Sequence, residues 1–302
     1  MRIALRSVTL LASLACGCDT HDALTPPLGI FGGLGLGPGH FNYPRSVTAE
    51  PRGSVFVVDK TGRIQRFSRD GAFERFWSMP ETEHGKPTGL KVHPDGRIFV
   101  ADTHYSRVMI FDRDGKALGS FGSEGNELGQ FQLPTDVAFD KDGNIYVGEY
   151  RSNDRITKWS PDLVPLAVIG EAPIAGARLS RPAGLDFDDE NTLWVADACN
   201  HRIVRFDTGG AVLTVFGSFG SEPGQMRYPY DVSVSPKGEI MVCEYGGHRL
   251  QWFSKDGRSL RTWGKNGRAA GELFAPWSAS YGPDGHVYVV DSLNNRVQIV
   301  AP

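Results

Sequence analysis

The sequence predicts an all-β fold, a six-bladed β-propeller of four-stranded antiparallel blades. A unit of 43 to 48 residues recurs six times, with short runs rich in Val, Ile, Phe, Tyr and Trp. Asp-Gly or similar pairs separate many of these runs, as expected for strands joined by tight turns. Several runs, such as residues 55–58, are apolar throughout, which indicates strands buried on both faces. Six sheets stacked face to face in a ring satisfy that requirement.

Each repeat carries a proline, an acidic residue and an arginine at fixed places. The prolines that open the repeats are Pro44, Pro87, Pro134, Pro182, Pro229 and Pro276. The acids that close the second run are Asp59, Asp102, Glu149, Asp197, Glu244 and Asp291, and the arginines that open the third are Arg63, Arg107, Arg155, Arg202, Arg249 and Arg296. Because a residue that recurs in every repeat usually stabilises the fold of the repeat, we expect most of these acids to have a structural role. They would accept backbone hydrogen bonds or pair with the arginine that follows.

The two ends of the chain are predicted to close the ring. Phe31, Phe121, Phe216 and Trp263 each begin a glycine-rich stretch that reaches a proline 13 residues later. Phe31 precedes the first repeat, whereas the last repeat stops after its third run. We therefore expect residues 28–31 to form the fourth strand of the last blade, which would remove the open seam.

The first residues have the pattern of an export signal. Two arginines precede a short apolar stretch that is too short to span a bilayer and ends in small residues and cysteine. This ending resembles that of a bacterial lipoprotein signal. We expect residues 1–18 to be the signal with lipidation at Cys18, residues 19–27 to be a tether, and residues 28–302 to be one domain. Two alternatives remain open: Cys16 is the modified residue, or the protein is secreted without a lipid. In each case we expect the protein outside the cytoplasm, and it would contact a membrane only through a lipid anchor.

The repeating unit resembles the NHL repeat, best at residues 197–203 and 291–297, which read DACNHRI and DSLNNRV. The resemblance covers about residues 28–301 and implies a six-bladed propeller. It does not fix an activity, because the family includes binding modules and a lyase that cleaves peptidyl-hydroxyglycine, and similar rings serve as gluconolactonases and arylesterases. In that lyase, histidines directly after the blade-opening prolines bind zinc. In this chain none of those six positions holds histidine, which argues against the lyase chemistry.

The candidate site is the end of the ring where the second-to-third loops and the blade-to-blade loops surround the central opening. Repeats three and five share a distinct version there, with an extra aspartate and a tyrosine in each. We predict that six residues at this rim bind ligand: Asp136, Tyr150, Tyr230, Asp231, Tyr245 and Trp277. A polar pocket with aromatic walls suits a peptide or a sugar. A structural role for the two aspartates, and simple packing for the tyrosines, are the alternatives.

Composition and motifs narrow the function further. The net charge of −3, without a basic stripe, gives no indication of nucleic-acid binding. The eight histidines show no metal-ligand spacing, so we expect no cofactor, no metal and no catalytic residue. A calcium site of the lactonase type would need converging oxygens, which Asp136, Asp231, Glu149 and Glu244 could supply. Cys199 and Cys243 are expected to be unpaired.

We therefore predict a monomeric binding scaffold for a protein, peptide or glycan of the cell envelope. A calcium- or zinc-dependent hydrolase or lyase that uses the same face of the ring is the alternative.

Overall fold

The computed structural model describes residues 25–301. These residues form 24 β-strands in six four-stranded antiparallel sheets, with three short 3₁₀-helices between strands. The predicted six-bladed β-propeller is thereby confirmed. The predicted signal, Cys18 and the first part of the predicted tether lie outside the described residues.

The first three blades are consecutive meanders. Blade 1 consists of β2 (Pro44–Ala49), β3 (Val55–Asp59), β4 (Arg63–Phe67) and β5 (Phe73–Ser78). Blade 2 consists of β6 (Gly89–Val92), β7 (Ile98–Asp102), β8 (Arg107–Phe111) and β9 (Ala117–Phe121). Blade 3 consists of β10 (Leu133–Phe139), β11 (Ile145–Tyr150), β12 (Arg155–Trp159) and β13 (Pro165–Ile169).

The last three blades follow the same order, except that blade 6 takes its outer strand from the start of the chain. Blade 4 consists of β14 (Pro182–Phe187), β15 (Leu193–Asp197), β16 (Arg202–Phe206) and β17 (Val212–Phe216). Blade 5 consists of β18 (Pro229–Val234), β19 (Ile240–Glu244), β20 (Arg249–Phe253) and β21 (Ser259–Trp263). Blade 6 consists of β22 (Ala279–Tyr281), β23 (Val287–Asp291), β24 (Arg296–Val300) and β1 (Gly29–Gly32). The 3₁₀-helices are Thr103–Tyr105, Ala198–Asn200 and Ser292–Asn294.

The core is divided among the six interfaces between neighbouring blades. Every residue of β3, β7, β15, β19 and β23 is buried, as the apolar runs predicted, whereas β5 at the outer edge is mostly exposed. One apolar cluster fills each interface, including the one between blades 6 and 1. Since apolar burial is the main favourable term in folding, no single blade can be stable without its neighbours.

The predicted closure of the ring is confirmed. Strand β1 pairs antiparallel with β24, so that Ile30 lies opposite Gln298. The strand runs from Gly29 to Gly32, one residue later than the sequence predicted. Phe31 is buried at the interface of blades 6 and 1, with its ring 4.8 Å from that of Phe67. The first and last strands of the described residues therefore share one sheet and one core cluster.

The repeated acids and arginines form a buried ion pair in every blade, as predicted. The pairs are Asp59–Arg63, Asp102–Arg107, Glu149–Arg155, Asp197–Arg202, Glu244–Arg249 and Asp291–Arg296, with N–O distances of 2.6 to 2.9 Å. Arg155, for example, also donates to the carbonyls of Glu127 and Gln130 in the blade-to-blade loop. Each pair thus fixes a loop against the blade that follows it.

The ring has two different ends. We call the end with the blade-to-blade loops and the 3₁₀-helices the loop face, and the end with the tight turns, such as residues 68–72, the turn face. On the turn face, Lys255 donates to Asp189 of the neighbouring blade at 2.9 Å. Cys243 is buried and Cys199 is exposed on the loop face, and neither forms a disulfide among the residues that the structure describes. Within residues 25–301, no helix has the length and apolar character needed to cross a bilayer.

Candidate functional site

A narrow cavity of about 30 Å³ lies at the centre of the ring and opens on the loop face. The inner strands of the six blades line it, and five of the six predicted site residues are among the lining residues: Asp136, Tyr150, Tyr230, Asp231 and Trp277. Tyr245 is the exception, but its ring stacks on that of Tyr230 at 4.5 Å. The structure therefore brings all six together at one opening.

The two aspartates lie deeper than the sequence predicted. They form part of the channel wall below the rim, where Asp136 is buried and Asp231 is partly buried. Irregular pairing after Pro134 and Pro229 turns this part of β10 and β18 toward the channel. Each carboxylate then accepts a backbone hydrogen bond from the next blade.

These hydrogen bonds join the inner strands of neighbouring blades. Asp136 accepts from the N–H of Leu185 at 2.9 Å, which links blades 3 and 4. Asp231 accepts from the N–H of Ala279 at 3.0 Å, which links blades 5 and 6. A third carboxylate, that of Asp186, accepts from a backbone N–H of blade 5 in the same way. Because inner strands are otherwise open edges, these bonds satisfy backbone groups that would lack partners.

Two glycines make room for the two aspartates. A Cβ atom on Gly89 would lie 2.3 Å from the carbonyl oxygen of Thr135 and 2.6 Å from the Cα of Asp136. On Gly184 it would lie 2.6 Å from the Cα of Asp231. Carbon atoms in contact normally stay about 3.5 Å or more apart, so glycine is required at both places. Blades 2 and 4 thus carry glycine where blades 3 and 5 carry aspartate.

Lys91 supplies the positive charge at this level of the channel. Its Nζ lies 2.8 Å from Asp186. Burial by itself would lower the pKa of Lys91, but Asp186, Asp136 and Asp231 reverse the effect and raise this pKa above its ordinary value. Burial, with repulsion from Asp231, raises the pKa of Asp136 to about 8, and burial raises the pKa of Asp231 to about 6. Near pH 7 Lys91 is therefore charged, and Asp136 is mainly protonated.

Aromatic side chains surround the mouth above this level. Tyr230 lies between Tyr245 and Trp277, with ring centroids 4.5 and 5.0 Å away. Tyr43 contacts the same group, since its hydroxyl is 3.3 Å from that of Tyr245 and its ring is 5.8 Å from Trp277. Burial raises the pKa of Tyr230, so its hydroxyl remains protonated at neutral pH. We call Tyr43, Tyr230, Tyr245 and Trp277 the aromatic wall.

Two arginines that the sequence analysis did not select also line the cavity. Arg45 follows the first proline of blade 1, and Arg181 precedes that of blade 4, on the opposite side of the ring. Arg45 lies 5.1 Å from the Trp277 ring, and Arg181 lies 4.6 Å from the Tyr230 ring. Neither forms an ion pair within residues 25–301, and the Nε of each is buried without a hydrogen-bond partner there. Burial lowers the pKa of Arg45, and the charge of Arg181 lowers it further.

The residues at the mouth do not fit a catalytic metal. No group of three or more His, Cys, Asp or Glu within residues 25–301 is placed to hold a metal ion. The carboxylates of Glu149 and Glu244, which could have served as calcium ligands, are fully buried against Arg155 and Arg249. The channel aspartates are occupied by backbone N–H groups and Lys91.

The histidines of the loop face have structural contacts instead. His104, His201 and His248 each accept a backbone hydrogen bond through Nδ1, from Lys86, Tyr228 and Ala275. Burial lowers the pKa of His201 and of His248. These residues therefore fix blade-to-blade loops.

Comparison with known proteins relates this geometry to two families. Residues 44–266 match the family model described as "SMP-30/Gluconolactonase/LRE-like region", and residues 275–300 match that of the NHL repeat. NHL repeat-containing protein 3 of Homo sapiens is 30% identical over 172 residues, which are 49% of this chain and 46% of that protein. The chain thus spans about half the length of such curated relatives.

Solved structures show the same fold at low sequence identity. A streptogramin B lyase has a TM-score of 0.66 at 15% identity, over 89% of this chain and 96% of that one. A gluconolactonase from Xanthomonas campestris has a TM-score of 0.66 at 16% identity, over 86% of this chain and 87% of that one. At these identities the likeness concerns the fold alone.

Proposed function

Because the chain belongs to the SMP-30/gluconolactonase/LRE-like family of propellers and carries an NHL repeat, we propose that it binds a protein or peptide ligand at the mouth of its central channel. NHL propellers generally serve as protein-interaction scaffolds. The mouth lies on the loop face, where the residues after each proline and each repeated acid differ between repeats. Variable loops on a rigid scaffold are the usual place for binding residues.

The aromatic wall is the observation that carries the proposal. Tyr and Trp offer large contact areas with little loss of side-chain freedom, and they are enriched among residues that dominate binding energy. Here three such rings pack on one another within 4.5 to 5.5 Å beside the cavity. The cavity beneath them is too narrow for more than a small group, so most of the ligand would lie across the mouth.

Selection from a random peptide library on the immobilised wild-type domain tests this function. Peptides that bind the mouth should lose at least about tenfold in affinity for Tyr230→Ala or Trp277→Ala, as expected for central aromatic contacts. Phe76→Ala is the matched control, since Phe76 is an aromatic residue that is 47% exposed on the outer strand of blade 1. The proposal is wrong if no peptide is enriched, or if all three variants bind the selected peptides equally well.

A hydrolase or lyase on the same face is the second candidate, because the larger family match carries the name of gluconolactonases. The positions of the carboxylates and histidines disagree with a metal-dependent reaction, as described above. Elemental analysis of the dialysed protein separates the two candidates. Stoichiometric calcium or zinc that survives dialysis would favour the enzyme and would contradict our reading of these side chains.

We further propose that the protein is exported and anchored through a lipid on Cys18. The described chain enters blade 6 beside Ile299, at the turn-face end of β24, and Trp263 donates to the carbonyl of Thr25 nearby. A tether at that end would leave the mouth facing away from the membrane. Mass spectrometry of the mature N-terminus tests the anchor: an unmodified Cys18, or a mature chain that begins elsewhere, would overturn it.

A further inference from the structure

We infer that Arg45 and Arg181 form a binding site for a single carboxylate group of the ligand. The inference rests on the proposed function, which it extends from a surface to a chemical class. Both arginines line one cavity of about 30 Å³, and they belong to opposite sides of the ring. A cavity of that size holds the end of a ligand and not its bulk.

Arg45 and Arg181 differ from the six repeat arginines in having no acidic partner within residues 25–301. Each of the six repeat arginines has a carboxylate within 2.9 Å. Arg45 and Arg181 have no carboxylate partner within residues 25–301, although the Nε of each is buried. Buried donors without acceptors are costly, and two like charges facing one cavity add repulsion. An anion between them would relieve both costs.

The charges below the mouth favour a monoanion. Three acidic side chains, those of Asp136, Asp186 and Asp231, surround the single ammonium group of Lys91 on the floor of the cavity. A dianion such as a phosphate monoester would be repelled by this floor more strongly than a carboxylate. Guanidinium groups also match the planar carboxylate in two parallel hydrogen bonds.

The surrounding rings favour a carboxylate attached to an apolar or aromatic group. Arg181 lies against Tyr150 and Tyr230 at 4.9 and 4.6 Å, and Arg45 lies against Trp277 at 5.1 Å. These contacts hold the guanidinium groups in place before a ligand arrives, which lowers the entropy cost of binding. The C-terminal residue of a peptide has the required combination of a carboxylate and an adjacent side chain.

The Nε–H groups themselves provide the measurement. In the ¹⁵N-labelled full domain, their NMR signals would be assigned with Arg45→Lys and Arg181→Lys. We expect N-acetylphenylalanine to shift both signals saturably, and N-acetylphenylalanine amide to leave them in place. Arg45→Gln and Arg181→Gln should each weaken binding of the acid roughly 10- to 100-fold, the usual effect of losing charge-assisted hydrogen bonds. Arg151→Gln, an exposed arginine of the same face, is the matched control and should bind normally.

Three outcomes would overturn the inference. The acid and the amide could shift the signals equally, the signals could stay unmoved at saturating acid, or inorganic phosphate could bind more tightly than the acid. The lysine variants keep the charge, so they remain informative where a glutamine variant fails to fold. The NMR test can fail while Trp277→Ala still weakens the binding of selected peptides. That combination would refute the carboxylate site and leave the proposed function standing.

Discussion

Substitution of Gly184 by alanine tests whether the inner strands of blades 4 and 5 are as tightly apposed as the structure shows. The added Cβ would lie 2.6 Å from both the Cα and the Oδ1 of Asp231, and 3.0 Å from the carbonyl oxygen of Tyr230. Ordinary contacts of about 3.5 to 4.0 Å would require β14 and β18 to separate by roughly 1 Å. Most of the obstructing atoms belong to the backbone, so a change of rotamer cannot relieve the clash.

The expected cost is about 1 to 3 kcal/mol, the usual range for overpacking in a filled interior. Displacement of Asp231 would also stretch its hydrogen bond to the N–H of Ala279, now 3.0 Å. In a domain of this size, each kcal/mol lowers the melting temperature by roughly 2 to 4 °C. We therefore expect Gly184→Ala to lower the melting temperature by about 2 to 12 °C and to weaken ligand binding through movement of Tyr230.

Differential scanning calorimetry on the wild type and two variants provides the measurement. Gly37→Ala is the control, because Gly37 has an ordinary φ and its Cβ would come no closer than 3.9 Å to the nearest side-chain atom. That variant should melt within about 1 °C of the wild type. If Gly184→Ala also melted within 1 °C, or if both variants lost the same amount, the close approach of the two strands would be refuted.

Three other substitutions test closure, ion pairing and titration. Phe31→Ala should cost about 3 to 5 kcal/mol in urea unfolding, because it leaves a cavity in the apolar cluster between blades 6 and 1. A loss below 1 kcal/mol would contradict the closure. Arg202→Gln, which leaves the fully buried carboxylate of Asp197 without its ion-pair partner, should cost about 3 kcal/mol by the same measurement. An unchanged urea midpoint would contradict a stabilising role for this ion pair. For Asp136, burial and repulsion from Asp231 raise the folded pKa to about 8 from 3.8, so the folded state retains a proton that the unfolded state releases. The free energy of unfolding of the wild type should therefore fall by up to ~1.4 kcal/mol per pH unit as the pH rises from 6.5 to 8. Asp136→Asn should flatten this pH dependence. Equal pH dependence in both proteins would show that Asp136 does not titrate in this range.

The parts of the fold that depend on local pattern were predictable from the sequence. Apolar runs, turn pairs and the phase of the prolines determine the number of blades and the position of each central strand. The closing strand near Ile30 followed from an incomplete last repeat. The pairing of the repeated acids with the arginines also followed, since a feature present in every repeat needs a partner in every repeat.

The details of the site depend on contacts between blades, which a single repeat does not encode. The partner of Asp136 is a backbone N–H of the next blade, and no residue type marks such a donor. Arg181 directly precedes its blade-opening proline, a position from which no candidate was selected, and its φ of +59° lies in the left-handed region, although a residue before proline is expected to be extended. Arg45 had been noted only as a position without histidine. That Arg45 has no acidic partner within residues 25–301 becomes evident only once all six blades are in place.

The channel separates groups that hold the ring together from groups that remain available to a ligand. The inner position of each blade reads Ser46, Gly89, Asp136, Gly184, Asp231 and Ser278 around the ring, so the aspartates occupy space that the glycines leave open. Their carboxylates accept hydrogen bonds from backbone N–H groups, and a ligand that bound these carboxylates would break the hydrogen bonds between neighbouring blades. The guanidinium groups at the mouth have no such bonds within residues 25–301. We therefore expect recognition to depend on the two arginines and the aromatic wall, and we expect the acidic residues below them to contribute to stability.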